Sequence, residues 1–203
     1  MQCSISEKLG ISCSQAFGGY NIPLTKKYFS QGLLTSLIFF AFIVTPVYFF
    51  AYEILTSVGI AAVNAILIKE YAWKLYFVNM IDTWNDIVFN YCVSQGVETS
   101  FAKVNGIAIA GGLCVMSVLC FYYDMFIDGW IITHAVSSLI NFIGYLFIWV
   151  NETQTETRGL APLADVTGDF YKYFGDSLNY IGGNYAEWVG WELANVFTGM
   201  TQN

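Results

Sequence analysis

The stretch GWIITHAVSSLINFIGYLFIWV (Gly129–Val150) decides the fold class, because its twenty-two residues carry no formal charge at neutral pH. A helix rises about 1.5 Å per residue, so this stretch is long enough to cross the roughly 30 Å of bilayer hydrocarbon. Trp130 and Trp149 stand near its two ends, where the amphipathic indole ring favours the headgroup region. The stretch therefore predicts a transmembrane helix in an integral membrane protein.

The composition of the whole chain agrees with this interpretation. Of its 203 residues, 56% are hydrophobic and 11% are charged, whereas soluble domains carry about 25% charged residues. The net charge of −7 argues against nucleic-acid binding and against a polybasic membrane anchor, since there is no basic patch to meet phosphate. The first thirty residues lack the apolar core of a signal peptide and the arginines of a transit peptide.

Two more apolar runs predict two more spans, at about 31–55 and 104–123. The first contains Pro46, which removes a backbone hydrogen bond and should kink the helix. The second is joined to the 129–150 span by five residues, which permit only an antiparallel hairpin. We therefore expect an all-α integral membrane protein with three transmembrane helices and additional interfacial amphipathic helices.

A fourth span is the alternative, with 54–68 returning across the membrane. It would place most Lys and Arg residues on one side, as the positive-inside rule favours. However, 54–68 is short for a span, and no Gly, Asn or Pro turn separates it from the first one. Glu53, Ser57 and Asn64 share one helical face, which favours a single helix that continues past the membrane.

The remaining segments flank or connect the spans. Residues 1–30 are polar and are expected to form a surface arm. Aromatic residues recur at helical spacing in 71–93, which predicts an amphipathic helix lying in the interface or packed on the spans. Residues 151–203 are expected to form a tail of two short amphipathic helices, about 163–178 and from Asn184 onward, separated by Gly182-Gly183.

Small residues in the 104–123 span indicate close helix packing. Two pairs have the small-x-x-x-small spacing that lets helices approach closely in lipid. They are Gly106 with Ala110 and Ala108 with Gly112.

A polar stripe runs down the otherwise apolar 129–150 span. His134, Ser138 and Asn141 lie on one helical face and must meet protein or water, since an unpaired polar group in hydrocarbon costs several kcal/mol. Hydrogen bonding between helices is the preferred interpretation, and a proton relay or a cofactor ligand is the alternative. Glu53 could reach water at the end of the first span.

Residues for catalysis or cofactor binding are not evident. The sequence has one histidine, no Gly-rich phosphate loop and no nucleophile or zinc-protease motif, so no catalytic, cofactor or metal site is predicted. Cys3 and Cys13 have the nine-residue spacing seen in small disulfide-bonded proteins of the mitochondrial intermembrane space, which suggests a possible bridge.

Two functional hypotheses follow. The first is a non-catalytic accessory subunit of a large energy-transducing complex, of the respiratory-chain or ATP-synthase type, contacting other membrane subunits and phospholipids. The mitochondrial inner membrane is favoured over a bacterial or viral one. The alternative is a small homo-oligomeric transporter or channel, with Glu53, Asn64, His134 and Asn141 lining its path.

Overall fold

The computed structural model describes residues 2–201, with side-chain surroundings described for 4–187. Within these residues the chain forms helices and turns, with no strand, so the all-α prediction is confirmed. The helices are α1 (Gln2–Gly18), α2 (Ile22–Phe39), α3 (Thr45–Phe49), α4 (Ala51–Ser57), α5 (Ala62–Val93), α6 (Thr99–Tyr122), α7 (Phe126–Asn151), α8 (Leu163–Gly168) and α9 (Phe170–Thr201).

Three helical segments of the described chain are long and apolar enough to span a membrane: Ile22–Phe49, Thr99–Tyr122 and Phe126–Asn151. The molecule is therefore an all-α integral membrane protein. The first span begins and ends earlier than the expected 31–55. Its start is fixed by Asn21, whose side chain accepts a hydrogen bond of 3.2 Å from the Leu24 backbone N–H.

The first span is continuous but irregular near Pro46. Because proline has no N–H to donate, the backbone widens into one π-helical turn at Phe40–Val44 before α3 begins. The Phe40 carbonyl accepts twice from Thr45, from its backbone N–H and from its hydroxyl at 2.8 Å. The kink expected from Pro46 thus takes the form of a π bulge.

A turn separates α4 from α5, so the expected single helix through Glu53 and Asn64 is wrong. The Gly59 N–H donates to the Thr56 carbonyl and the Ile60 N–H to the Leu55 carbonyl, which is the Schellman pattern of a helix end. Gly59 has φ +95°, a conformation that glycine adopts without steric cost. Gly59 is the sequence signal for this turn, which the shared helical face of Glu53, Ser57 and Asn64 does not indicate.

Helix α5 runs parallel to α7 along most of its length. Lys74 donates to Asp128 at 2.7 Å near the start of α7, and Asn85 donates to the Ser138 carbonyl at 3.0 Å farther along. The amphipathic helix expected at 71–93 is therefore packed on the spans, at their depth. It is also longer than expected, beginning at Ala62.

Helix α1 is packed against α2 and α5, in contrast to the surface arm expected for 1–30. Leu9 and Cys13 are fully buried, and a Cβ at Gly32 of α2 would overlap Leu9. Burial of α1 was not evident from the sequence because its inner face also contains the buried serines Ser6 and Ser12.

The C-terminal segment also differs from the expectation. The break lies at Asp169, and α9 continues through Gly182-Gly183. A glycine costs a helix only about 1 kcal/mol, and tertiary packing can offset this. Here Ile181 is buried against α1 and α2, and Asn184 donates to Glu7 at 3.1 Å, so Asn184 lies inside the helix and does not begin one.

Candidate functional site

Polar side chains of α5 and α7 meet along the contact between these two helices. His134 Nε2 lies 3.1 Å from Asp82 Oδ2, and the His134 ring stacks on Trp130 with 5.6 Å between centroids. We call this contact the polar seam. Its members are Asp82, Asn85, Asp86, His134, Ser138 and Asn141.

Several hydrogen-bonding groups of the polar seam have no partner among the described residues. The side-chain oxygens of Asn85 and Asn141 are buried and unpaired. The half-buried carboxylate of Asp86 has neither a hydrogen bond nor a cation beside it in the described part of the chain. Because buried polar groups are normally paired, these groups give the seam unused capacity to accept hydrogen bonds.

The structure divides the predicted stripe of six polar residues into two groups. His134, Ser138 and Asn141 lie in the polar seam, as their shared face on α7 required. Glu53 and Ser57 lie on α4 and Asn64 on α5, all three exposed and beyond the start of α7. The route through Glu53, Asn64, His134 and Asn141 is therefore not assembled within one described chain.

Sequence reasoning missed the α5 members of the seam. Asp82, Asn85 and Asp86 recur at spacings of three and four, which places them on one helical face. That spacing was the available signal. The parallel register that brings this face to His134 depends on tertiary packing and could not be read from either helix alone.

The small residues of α6 also divide by face. Ala108 and Gly112 are buried against α7, where a Cβ at Gly112 would overlap the Ser137 hydroxyl. Ser137 donates to the Ala108 carbonyl at 3.2 Å, so this pair forms a close helix contact. Gly106 and Ala110 are exposed on the opposite face, and a Cβ at Gly106 would meet open space.

Cys13 is a free thiol whose sulfur lies 3.7 Å from the Thr25 carbonyl oxygen. The possible Cys3–Cys13 bridge is therefore not formed in the structure, and the side chain of Cys3 itself falls outside the described residues. No group of three His, Cys, Asp or Glu side chains in the described chain is arranged to hold a metal ion.

A charged and polar surface follows the outer sides of α1 and α9 at the depth of the first span. Tyr173 of α9 stacks on Tyr28 of α2 at 5.8 Å, and Ile181 packs on Phe39, so the α9 residues between them lie beside the span. We call this surface the acidic face. Its exposed members are Glu7, Asp176, Asn179 and Glu187, with Lys172 one turn before Asp176. The exposed apolar side chains of α9 form a neighbouring stripe of Tyr171, Leu178 and Tyr185.

The outer side of α6 has the opposite character. Its large exposed side chains are apolar, and no charged residue follows Lys103 in this helix. They are Ile107, Ile109, Leu113, Val118 and Phe121. This surface suits hydrocarbon, whereas an exposed carboxylate of the acidic face would be expensive there.

An apolar helical hairpin extends past the other helices at one end of the molecule. Lys74 is level with Asp128 near the start of α7, so the part of α5 before Lys74 projects by roughly three helical turns together with α4. Large apolar side chains on this hairpin are exposed. They are Ile54, Val58, Val63, Ile66, Leu67 and Ile68.

An ion pair fixes Asp169, which precedes α9 and lies outside the membrane-spanning segments, to the first turns of α2. Lys27 Nζ lies 2.7 Å from Asp169 Oδ1, and the buried Gln31 donates to the same carboxylate at 2.9 Å. Two hydrogen bonds lower the pKa of Asp169 below its ordinary value, and the bond from Lys27 contributes more than the bond from Gln31.

Comparison of the chain with protein-family models, with curated proteins and with solved structures finds no match in any of the three.

Proposed function

We propose that this chain is a non-catalytic subunit of a hetero-oligomeric membrane complex, contributing contact surfaces to other subunits and to phospholipid. The observation that carries the proposal is the pair of opposite surfaces on one bundle. The α6 surface suits lipid, and the acidic face lies at the same depth but is unsuited to it. A carboxylate at that depth requires water or protein beside it, so a neighbouring subunit is the natural cover.

The charge of the acidic face favours a different chain as the neighbour. In a two-fold dimer the same patch meets itself, so Glu7, Asp176 and Glu187 would approach their own copies and repel. A partner with basic or hydrogen-bond-donating residues would complement them. The projecting apolar hairpin of α4 and α5 supplies a second surface for a partner, outside the level of α7.

The narrower form of the proposal is an energy-transducing complex of the mitochondrial inner membrane. Its support is the nine-residue spacing between Cys3 and Cys13, a pattern of small intermembrane-space proteins. The identity of the copurifying subunits tests this form directly.

The proposal is tested by charge reversal on the acidic face. Asp176→Lys should reduce the copurification of partner subunits in mild detergent at least several-fold, as measured by quantitative mass spectrometry of the tagged chain. Glu156→Lys is the matched control, because Glu156 is exposed in a 3₁₀ turn after α7. Equal recovery of partners with both variants, or recovery of this chain alone from the wild type, would refute the proposal.

A homo-oligomeric transporter or channel is the second candidate, and the polar seam favours it. Asp82 and His134 form a half-buried pair at the depth of the spans, next to the unpaired Asp86. A polar cleft of about 480 Å³ between α1, α5 and α9 contains Glu7 and Asn90. This candidate requires that His134→Ala abolish proton or cation flux in vesicles, whereas the subunit proposal expects partner recovery to survive that substitution.

A further inference from the structure

A slot between α2, α5 and α7 has the dimensions of a ligand site. Its volume is about 570 Å³, within the roughly 300–1,000 Å³ of small-molecule pockets. Its walls are almost entirely apolar, and on α2 they extend from Ser30 to Leu37, roughly 10 Å along the helix. Leu37, Leu160 and Leu163 are exposed at its rim, so the slot is accessible from the membrane side of the bundle.

The slot is built by specific contacts at its surface end. Ser30 accepts a hydrogen bond of 2.9 Å from the Ala161 N–H, and Gln31 donates to the Val166 carbonyl at 3.0 Å. These bonds fasten the segment 160–166 across α2, where it forms the end wall. The opposite end lies between Leu37 and Trp84, deeper in the bundle.

The slot offers an occupant almost no free hydrogen-bonding group. Trp84 and Trp149 line the slot, but their indole nitrogens are buried away from its open space and have no partner among the described residues. The hydroxyl of Ser30 is already used, because it donates to the Lys26 carbonyl. The walls therefore suit a hydrocarbon chain.

A cation stands above the surface end of the slot. Lys26 precedes Ser30 by four residues and so shares its helical face, and its ammonium has no ion-pair partner in the described chain. Arg158, two residues before Leu160, donates to the backbone carbonyls of Asn151 and Thr153 and pairs with no carboxylate in the described chain. Lys27 is neutralised by Asp169, which leaves Lys26 as the group for an anionic headgroup.

We propose that this slot binds one acyl chain of an anionic glycerophospholipid, with the phosphate at Lys26. Phe29 lines the slot and is about one helical turn below Lys26. Acyl chains begin just below the phosphate and glycerol in such lipids. The acyl chain then continues past Leu33 and Leu37 toward Trp84.

This inference rests on the lipid contact in the proposed function and not on the partner subunits. The test is the amount and class of phospholipid retained per chain after purification in mild detergent, measured by mass spectrometry of the extract. The lipid is expressed per tagged chain and the partner subunits are quantified in the same sample. Loss of partner subunits can therefore be distinguished from loss of lipid.

Lys26→Gln and Leu34→Trp are the test variants, the second because a larger side chain at this lining position fills the slot. Lys69→Gln and Ile109→Trp are their controls outside the slot. Retention of anionic phospholipid should fall at least several-fold in both test variants and stay unchanged in both controls. Lys26→Gln alone should shift the retained lipid toward zwitterionic classes. Unchanged retention in the test variants, or the absence of retained phospholipid, would overturn the proposal.

Discussion

At the scale of single residues, the pairing of His134 with Asp82 shows what polar groups at membrane depth require. The sequence indicated that His134, Ser138 and Asn141 needed protein or water beside them, and α5 provides the protein. The unpaired oxygens of Asn85 and Asn141 and the free carboxylate of Asp86 are left for groups outside the described chain. The polar seam therefore contributes to the internal packing and also leaves acceptor oxygens without a partner among the described residues.

The ion pair of Lys27 with Asp169 gives a prediction of pH dependence. Because the folded state lowers the pKa of Asp169, the unfolded chain binds its proton first as the pH falls. The stabilisation of the folded chain by the Lys27–Asp169 ion pair should be fully present above the ordinary aspartate pKa of about 4 and be lost as the pH falls below that value. It should be small, since this carboxylate is 57% exposed.

The measurement is the difference in melting temperature between the wild type and Asp169→Asn in detergent. The difference should be constant between pH 7 and pH 5 and shrink below about pH 4. Lys172, exposed on the next turn, provides a control in Lys172→Gln, for which no such acid loss is expected. A difference that grows on acidification would contradict the assignment of the ion pair.

At the scale of helices, the predictions that succeeded rested on long uniform patterns. Charge-free runs identified the spans, and the short connection between α6 and α7 required their hairpin. The predictions that failed concerned helices whose character depends on their neighbours. The buried serines of α1 are polar, so from the sequence this helix resembles an exposed one. The two glycines of α9 resemble a helix break, but burial of the neighbouring Ile181 stabilises the helix through them.

The contact of α6 with α7 gives a prediction with a matched control on the same helix. Gly112→Leu would force a side chain into the Ser137 hydroxyl and should destabilise the folded chain by about 1–3 kcal/mol. Gly106→Leu should have little effect or a stabilising one, because its added side chain points into open space. Chemical unfolding in detergent would measure both, and equal destabilisation would contradict the face assignment.

At the scale of the whole molecule, the charges at the two ends predict its orientation. Lys26, Lys27, Lys103 and Arg158 lie at the end where α2 and α6 begin, and Lys69 and Lys74 lie at the other. By the positive-inside rule, the first end should stay on the side from which the chain is inserted.

A protease site inserted after Gln154 should be cleaved only from that side, and one inserted after Asp124 only from the opposite side. Both positions are exposed and lie between helices. Cleavage of the two sites from the same side would contradict the orientation, and with it the crossing of the membrane by α7.

The existence of two opposite surfaces could be inferred from the structure but not from the sequence. The α6 surface follows from its apolar run. The acidic face arises only because α1 and α9 fold back beside the first span, which no local pattern of residues specifies. The proposed function requires that a different protein covers the acidic face in the native membrane.

Site-specific photo-crosslinking in intact membranes tests that claim most directly. A crosslinker at position 176 should yield covalent adducts with a different polypeptide. The same crosslinker at position 109, on the outer side of α6, should yield lipid adducts. Adducts at position 176 with lipid alone, or with a second copy of this chain, would contradict the account.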